Sequence, residues 1–237
     1  MLGFPSHVEN GLMTIRPGTP ASADRIWLSP AGRARAETKV RNSRFLADIE
    51  PVAHEEAAHR HLARLREEFP RATHHCWGRR LWTGGEVLER ASDAGEPSGT
   101  AGAPILRALH SAGVEGASCV VVRWFGGTKL GAGPLARAYG TATATALTAA
   151  GLETRQQLRV FRVTFPHDTS SEVRRAVARL DGRILAEIHG ARAELRMALT
   201  AGQAARLPAA LADASHGRAE CAADGQITVK VNPGMNS

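Results

Sequence analysis

The chain has 237 residues, 43% of them hydrophobic, and carries a formal net charge of +7 at neutral pH. Globular domains usually run to roughly 100–200 residues, so this length predicts one or two domains. No purely apolar run is longer than four residues, the length of Cys119–Val122. A membrane helix needs ~20 apolar residues, so a membrane protein is not expected. The first residues lack a basic stretch followed by an apolar one, so no signal peptide is predicted.

The three cysteines, Cys76, Cys119 and Cys221, are far apart and odd in number. This pattern argues against a disulfide framework and favours a reducing compartment, so we expect a cytoplasmic location. No Cys-x-x-Cys pair occurs, which argues against structural zinc. We therefore predict neither a metal nor a cofactor.

Basic residues are in excess, with 30 Lys and Arg against 23 Asp and Glu. Nearly all of them are arginines, whose planar guanidinium group pairs well with phosphate. A basic balance is a weak indication of RNA or ribosome binding. The alternative explanation for the basic excess is genome composition, because a chain rich in Ala, Arg and Gly is also typical of a GC-rich genome.

The N-terminal part of the chain, residues 1–36, carries four prolines and no sustained hydrophobic period. This predicts a loose extension, and whether translation starts at Met1 or Met13 is left open. Hydrophobic spacing then predicts a first domain over 37–151. Its segments are two strands over 36–52 bent near Asn42, a helix over 54–70, a strand over 72–82, a helix over 101–111, a strand over 117–124 and a helix over 134–150.

Residues 155–233 predict a second domain, joined to the first by a short linker at 153–157. Strand patterns occur at 158–165, 183–190, 193–201 and 219–232, and helix patterns at 170–182 and 205–215. The order is βαββαβ, a ferredoxin-like unit in which two helices cover one face of an antiparallel sheet. The fold class is therefore α+β.

Two glycine-rich stretches, 92–102 and 126–133, each lie directly before a predicted helix. The free N–H groups at a helix start favour an anion, and glycine lets the backbone approach a phosphate closely. Neither stretch matches the phosphate-loop or dinucleotide pattern. Two alternatives therefore stay open: the glycines help to bind an anion, or they only allow tight turns between strand and helix. The candidate anion or nucleic-acid ligands are Gly99, Thr100, Gly102, Arg123, Gly126, Gly127, Lys129, Gly131 and Gly133.

Weaker candidates for catalysis are His74, Asp93 and Glu96. The two carboxylates are three residues apart and fit either acid–base chemistry or capping of the following helix, which we favour. His74 and Cys76 point to the same face of a strand, which fits a Cys–His nucleophile or, more commonly, packed side chains. The aromatic residues Trp77, Trp124 and Phe125 are interpreted as core or loop anchors and not as a stacking platform.

Four motifs together resemble the YigZ/IMPACT family in order and spacing. They are Asn42–Phe45, His74–Cys76, Ser92–Leu106 and Val120–Gly140. The resemblance covers about 38–151, and the tail 156–232 is similar to the small domain that bacterial members append. It implies a first domain like the second domain of a ribosomal small-subunit protein, with a left-handed βαβ crossover. It also implies a second domain like the C-terminal ferredoxin-like domain of elongation factor G.

The resemblance implies a translation-linked regulatory or RNA/ribosome-binding protein, with a regulatory protein as a further candidate partner. A hydrolase of proline-dipeptidase type or a phosphotransferase using Asp93, Glu96 and His74 is the rival. The chain departs from the family pattern at Ala94, where the family has a second Asp, and at Trp124 and Pro134. The lost carboxylate weakens a metal or acid–base role for that loop. Neither a substrate nor an oligomeric state is predicted.

The two helix starts allow two arrangements. In the first, which we favour, they converge on one basic cleft with Arg123 and Lys129 at its edge and free N–H groups aimed into it. In the second, the two loops pack on each other and their N–H groups are bonded within the protein.

Overall fold

The computed structural model describes residues 25–231. The chain divides into two compact units, 27–155 and 156–229, with residue 26 joining the second and residue 230 the first. Each unit combines an antiparallel sheet with helices, so the protein is of mixed α+β class. Within the described residues, no helix combines the length and the apolar character needed to cross a membrane.

The first unit is built on a five-stranded sheet in the order β2-β3-β6-β4-β5, with every neighbouring pair antiparallel. Its elements are β1 Ile26–Pro30, β2 Ala34–Val40, β3 Ser43–Pro51, α1 Glu55–Glu68, β4 His74–Trp82, β5 Val87–Ser92, α2 Gly102–Ser111, β6 Ala117–Trp124 and α3 Ala132–Ala150. Because β3 and β6 lie at the centre of the sheet, nearly all of their side chains are buried. β2 forms one edge of the sheet.

Alternation along the central strands divides the core between the two faces of this sheet. Helices α2 and α3 cover one face, where Phe45 and Tyr139 meet edge to face at 5.2 Å between ring centroids. Helix α1 covers the other face, where Leu65 packs on Leu46 and on the β6 residue Val122. The central sheet is therefore buried on both sides.

A polar cluster lies in this buried region beneath α1. His61 bridges the Ser118 hydroxyl, 2.9 Å from its Nδ1, and the Asp48 carboxylate, 3.0 Å from its Nε2. Arg33 and Arg35 also donate to Asp48, which is fully buried. Burial raises the pKa of the Asp48 carboxyl, but the bonds from His61, Arg33 and Arg35 outweigh burial and hold the pKa well below its usual range.

The second unit has the element order βαββαβ. The elements are β7 Leu152–Phe165, α4 Ser170–Ala178, β8 Arg183–His189, β9 Ala193–Leu199, α5 Ala201–Ser215 and β10 Glu220–Lys230. β7 pairs with β9 and β10, and β8 pairs with β9 at the edge. Helices α4 and α5 pack on one face of the sheet, where Val173 and Leu207 meet Val163, Leu195 and Met197.

The structure corrects several predicted boundaries. The described part of the predicted loose extension contains β1 and the start of β2. β1 was missed because it is short and ends at Pro30, a residue that argues against a strand. The predicted linker at 153–157 lies within the continuous strand β7. Strand β5, which was not predicted, is an edge strand with few apolar residues. Helix α3 begins at Ala132, two residues before the predicted start at Pro134. Residues 1–24 of the predicted extension lie outside the described residues.

Candidate functional site

The first glycine-rich loop is closed by its own carboxylate. Asp93 accepts hydrogen bonds from the backbone N–H groups of Gly99 at 2.8 Å, Ala101 at 2.9 Å and Gly102 at 2.8 Å. Partial burial raises the pKa of the Asp93 carboxyl, but these three bonds together hold it below its usual value. Thr100 is buried and donates both its N–H and its hydroxyl to the Pro97 carbonyl oxygen.

This closure corrects the prediction that Gly99, Thr100 and Gly102 bind an anion. The N–H groups at the start of α2 are already bonded to a negative charge, so a phosphate would have to displace Asp93. The glycine at 102 has a packing role, since a Cβ there would lie 2.8 Å from the Ser92 backbone. Asp93 therefore caps α2 and fixes the loop.

A buried ion pair ties this loop to the central strand. The Arg123 Nη1 donates to Glu96 Oε1 at 2.5 Å, and the Tyr139 hydroxyl donates to the same oxygen at 2.7 Å. The Glu96 and Arg123 side chains are only 4% and 5% exposed. Arg123 also donates to the Ser43 hydroxyl at 3.2 Å. Arg123 is thus an internal anchor, which corrects its predicted position as a free cation at the edge of a cleft.

The predicted His74 and Cys76 both join this network. His74 contacts the Ala94 carbonyl oxygen at 3.0 Å through Nδ1 and lies 3.7 Å from Glu96 through Nε2. The Cys76 thiol donates to the Asp93 carbonyl oxygen at 2.9 Å. Burial raises the pKa of the Cys76 thiol to about 12. A thiol with this pKa is protonated at neutral pH and is a poor nucleophile.

The structure brings the candidate catalytic residues together but leaves none of the carboxylates free. Asp93 is saturated by three N–H groups, and Glu96 is neutralised by a buried guanidinium group. A general base must accept a proton from a substrate, and a buried, paired carboxylate does not offer that capacity. The cluster of His74, Asp93 and Glu96 is therefore suited to holding the loop.

One group of possible metal ligands occurs among residues 25–231. The ligand atoms of Asp48, Glu50 and His61 lie within 4.8 Å of one another. However, two guanidinium groups bond to Asp48, and Arg64 donates to Glu50 at 2.6 Å. These groups already compensate the carboxylate charges, so the cluster is a structural ion-pair network and not a suitable cation site.

The second glycine-rich loop, Gly126–Gly133, is open. The N–H groups of residues 127–133 have no hydrogen-bond partner within the described part of the chain. The residue preceding α3 is Gly131, whose φ is +83° and which has no side chain to cap the helix. Since the third helical residue, Pro134, lacks an N–H, the open donors of the first turn belong to Ala132 and Gly133.

The loop is held against the β2–β3 hairpin at Gly126. A Cβ at this position would lie 2.1 Å from the Asn42 backbone, so only glycine permits the contact. The Gly126 N–H donates to the Ser43 hydroxyl at 3.3 Å, and Arg41 reaches the Lys129 carbonyl oxygen at 3.4 Å. The hairpin and the loop therefore form one continuous surface.

Exposed cations and one exposed aromatic ring surround the open loop. Lys129 and Arg137 are exposed, and the Arg44 guanidinium lies 3.7 Å from the Trp124 ring centroid. Phe125 is 45% exposed, and the Arg123 guanidinium lies 5.4 Å from its ring centroid. Of the two predicted roles, core anchor or loop anchor, the exposure of Phe125 excludes the first. We define the α3-loop surface as Arg41, Arg44, Phe125, Gly126–Gly133 and Arg137.

Sequence reasoning missed Arg41, Arg44 and the exposure of Phe125. A signal was present, because basic residues flank the predicted bend at Asn42–Ser43 in the segment Lys39–Arg44. The prediction that both helix starts share one basic cleft is wrong, since the first start is closed. The alternative of internally bonded N–H groups describes the first loop, and the open arrangement describes the second.

Residues 41–147 match the family model of the Impact N-terminal domain. The Escherichia coli protein "IMPACT family member YigZ" is 33% identical over 195 residues, which are 81% of this chain and 94% of that protein. Bacillus subtilis "IMPACT family member YvyE" is 32% identical over 65% of this chain and 70% of its own length. A Thermus thermophilus family member is 48% identical over 108 residues, 46% of this chain and 56% of that protein.

A solved structure described as a hypothetical protein superposes with a TM-score of 0.61 at 32% identity, covering 83% of this chain and 96% of the other. The match to YigZ extends over both units and nearly all of the relative. On this evidence, the chain belongs to the IMPACT family.

Proposed function

We propose that this protein binds RNA, free or within the ribosome, through the α3-loop surface, and acts as a translation-linked regulatory protein. The observation that carries the proposal is the open start of α3, where N–H donors stand beside exposed cations. N–H groups at a helix start, together with the helix dipole, favour a phosphate group.

The composition of the surface supports RNA over a small anion. Arg41, Lys129 and Arg137 spread positive charge over the hairpin, the loop and the first turns of α3. Such spacing suits a chain of phosphates better than one isolated ion. Phe125 offers an exposed ring on which an unpaired base can stack.

The rival enzymatic function has less support. A hydrolase or phosphotransferase would need Asp93, Glu96 or His74 as an available acid or base. Asp93 instead caps α2, and Glu96 is bound to Arg123 and Tyr139. We therefore place RNA binding first, with a cytoplasmic location and a regulatory protein as a second class of partner.

Likeness to translation proteins adds an argument by analogy. We propose that the second unit resembles the ferredoxin-like C-terminal domain of elongation factor G, and its βαββαβ order supports this. We further propose that the first unit resembles the second domain of a ribosomal small-subunit protein. The proposed role in translation depends on this analogy, whereas the proposed RNA contact depends on the α3-loop surface.

The test is binding of a fluorescently labelled RNA oligomer, followed by anisotropy over a range of salt concentrations, with ribosome co-sedimentation in parallel. The double variant Lys129→Glu/Arg137→Glu should weaken binding and lower the slope of log affinity against log salt by roughly 2, about one per lost phosphate contact. The matched control Arg179→Glu/Arg206→Glu makes the same charge change at exposed positions of the second unit. Equal losses in both variants, or no binding by the parent protein at low salt, would refute the proposed site.

A further inference from the structure

A cavity of about 280 Å³ lies between the end of β2 and the first turns of α3. Its walls include Thr38, Val40, Pro134, Arg137, Ala138 and Thr141, with Lys39 beside them. Pro134 belongs to the first turn of α3, so the cavity adjoins the open helix start. We call it the β2–α3 pocket.

The pocket combines apolar walls with positive charge. Val40, Pro134 and Ala138 supply apolar surface, and none of the lining residues in the described part of the chain is acidic. Lys39 and Arg137 are both exposed cations. A cavity that is apolar inside and positively charged at its edge suits a ligand with a flat, weakly polar body and an anionic group.

Arg137 is placed to bring that anionic group to the start of α3. Its Nη1 lies 3.6 Å from the position that a Cβ on Gly133 would take, so the guanidinium group lies along the first helical turn. The open N–H groups of Ala132 and Gly133 belong to the same turn. A phosphate at this point would receive backbone donors and a guanidinium group together.

We propose that the β2–α3 pocket holds one nucleotide of single-stranded RNA, with its phosphate at the start of α3 and its base on Val40, Pro134 and Ala138. The pocket volume lies just below the range of roughly 300–1,000 Å³ typical of small-molecule sites, which leaves room for a single base. A base stacked within a duplex cannot enter such a pocket, so the protein prefers single strands. This inference rests on the proposed RNA binding and specifies the form of RNA.

The proposal can be tested with a substitution that fills the pocket without changing its charge. Thr141 is exposed on α3 and lines the pocket, so Thr141→Phe introduces a ring into the cavity. Thr148→Phe is the matched control at an exposed position two turns further along the same helix. We expect Thr141→Phe to weaken binding of a single-stranded oligouridine about tenfold, as for the loss of one stacked base, and Thr148→Phe to leave it unchanged.

Duplex RNA of the same length separates the pocket from general charge attraction. The duplex should bind more weakly than the single strand, and Thr141→Phe should not alter its affinity. Unchanged single-strand affinity in Thr141→Phe, or an equal loss for both RNA forms, would overturn the pocket proposal while leaving RNA binding intact. Circular dichroism and the melting temperature establish that both variants fold.

Small probes address the pocket independently of RNA binding. Uridine monophosphate should shift the NMR signals of the Val40 and Gly133 amides, whereas inorganic phosphate should shift Gly133 alone. Identical shifts from both probes would mean that the site takes only an anion, which contradicts a base in the pocket. If the protein bound no RNA but uridine monophosphate still shifted Val40, the proposed function would fail and the nucleotide pocket would stand.

Discussion

The buried pair of Glu96 and Arg123 offers a direct test of a structural role against a catalytic one. Glu96→Ala removes the acceptor for both Arg123 and Tyr139 and leaves a guanidinium group that is only 5% exposed without its carboxylate. Breaking a buried ion pair by removing one partner typically costs about 3–5 kcal/mol. We expect a loss of this size in the free energy of unfolding of the first unit.

Glu96→Gln provides a graded comparison. The amide oxygen of glutamine can accept both bonds, so the geometry is kept while the charge is lost. Charge-assisted hydrogen bonds contribute roughly 1.5–3 kcal/mol, against about 0.5–1.5 kcal/mol for neutral ones, so Glu96→Gln should lose about 1–2 kcal/mol. Arg123→Met combined with Glu96→Ala removes both charges, so its loss should fall short of the sum of the two single losses.

Tryptophan fluorescence during urea unfolding isolates the relevant unit. All four tryptophans of the chain, Trp27, Trp77, Trp82 and Trp124, lie between residues 27 and 155, within the first unit. The signal therefore reports that unit even where the two units unfold separately. A loss below about 1 kcal/mol for Glu96→Ala, or strictly additive losses in the cycle, would refute the buried-pair argument.

Two further predictions concern the first unit. The bonds that Asp48 accepts stabilise its ionised form and so lower its pKa in the folded protein. Their contribution to the free energy of unfolding is fully present above the carboxyl's unfolded pKa of about 3.9, and it is lost as the pH falls from that value toward the folded pKa. Asp48→Asn should therefore lower the free energy of unfolding at pH 7 by about 3 kcal/mol or more. It should also reduce the fall in stability between pH 7 and pH 2, as measured by urea unfolding. An unchanged fall in stability over this range would contradict the prediction. Gly126→Ala should destabilise the unit and weaken RNA binding, because its Cβ would collide with the Asn42 backbone, whereas the control Gly32→Ala has open space around it. Equal stability and binding for the two alanine variants would show that the loop does not depend on this close contact.

The periodic elements were predictable from the sequence because burial imposes a visible spacing on them. Helix α1 buries Ala58 and Leu65 on one face, and β6 contains the apolar run Cys119–Val122 between two polar residues. The βαββαβ order of the second unit follows from the same patterns. Edge elements were less predictable, because β5 faces solvent over much of its length and its exposed residues carry no hydrophobic period.

The buried position of Arg123 could be predicted from the sequence, but its partner could not. Alternation along β6 places Arg123 on the same face as Cys119 and Val121, which pack beneath α2 and α3. A buried arginine needs a carboxylate or another acceptor as its partner, and here the partner is Glu96 in the first glycine-rich loop. The sequence alone could not identify this partner, because the pairing spans 27 residues and depends on how the loop folds back.

The two glycine-rich helix starts show what decides whether such a feature is available to a ligand. At α2, Asp93 lies six to nine residues before the N–H groups that it accepts, and the positive helix end is neutralised internally. At α3, no Asp or Glu occurs anywhere between Glu115 and Glu153, so the surrounding segment contains no carboxylate that could do the same. Glycine supplies the backbone freedom in both loops, but the nearest carboxylate determines the charge. The closed loop and the Arg123 anchor stabilise the fold, and the open loop leaves its donors to a negatively charged partner, which is why the proposed RNA contact lies at α3.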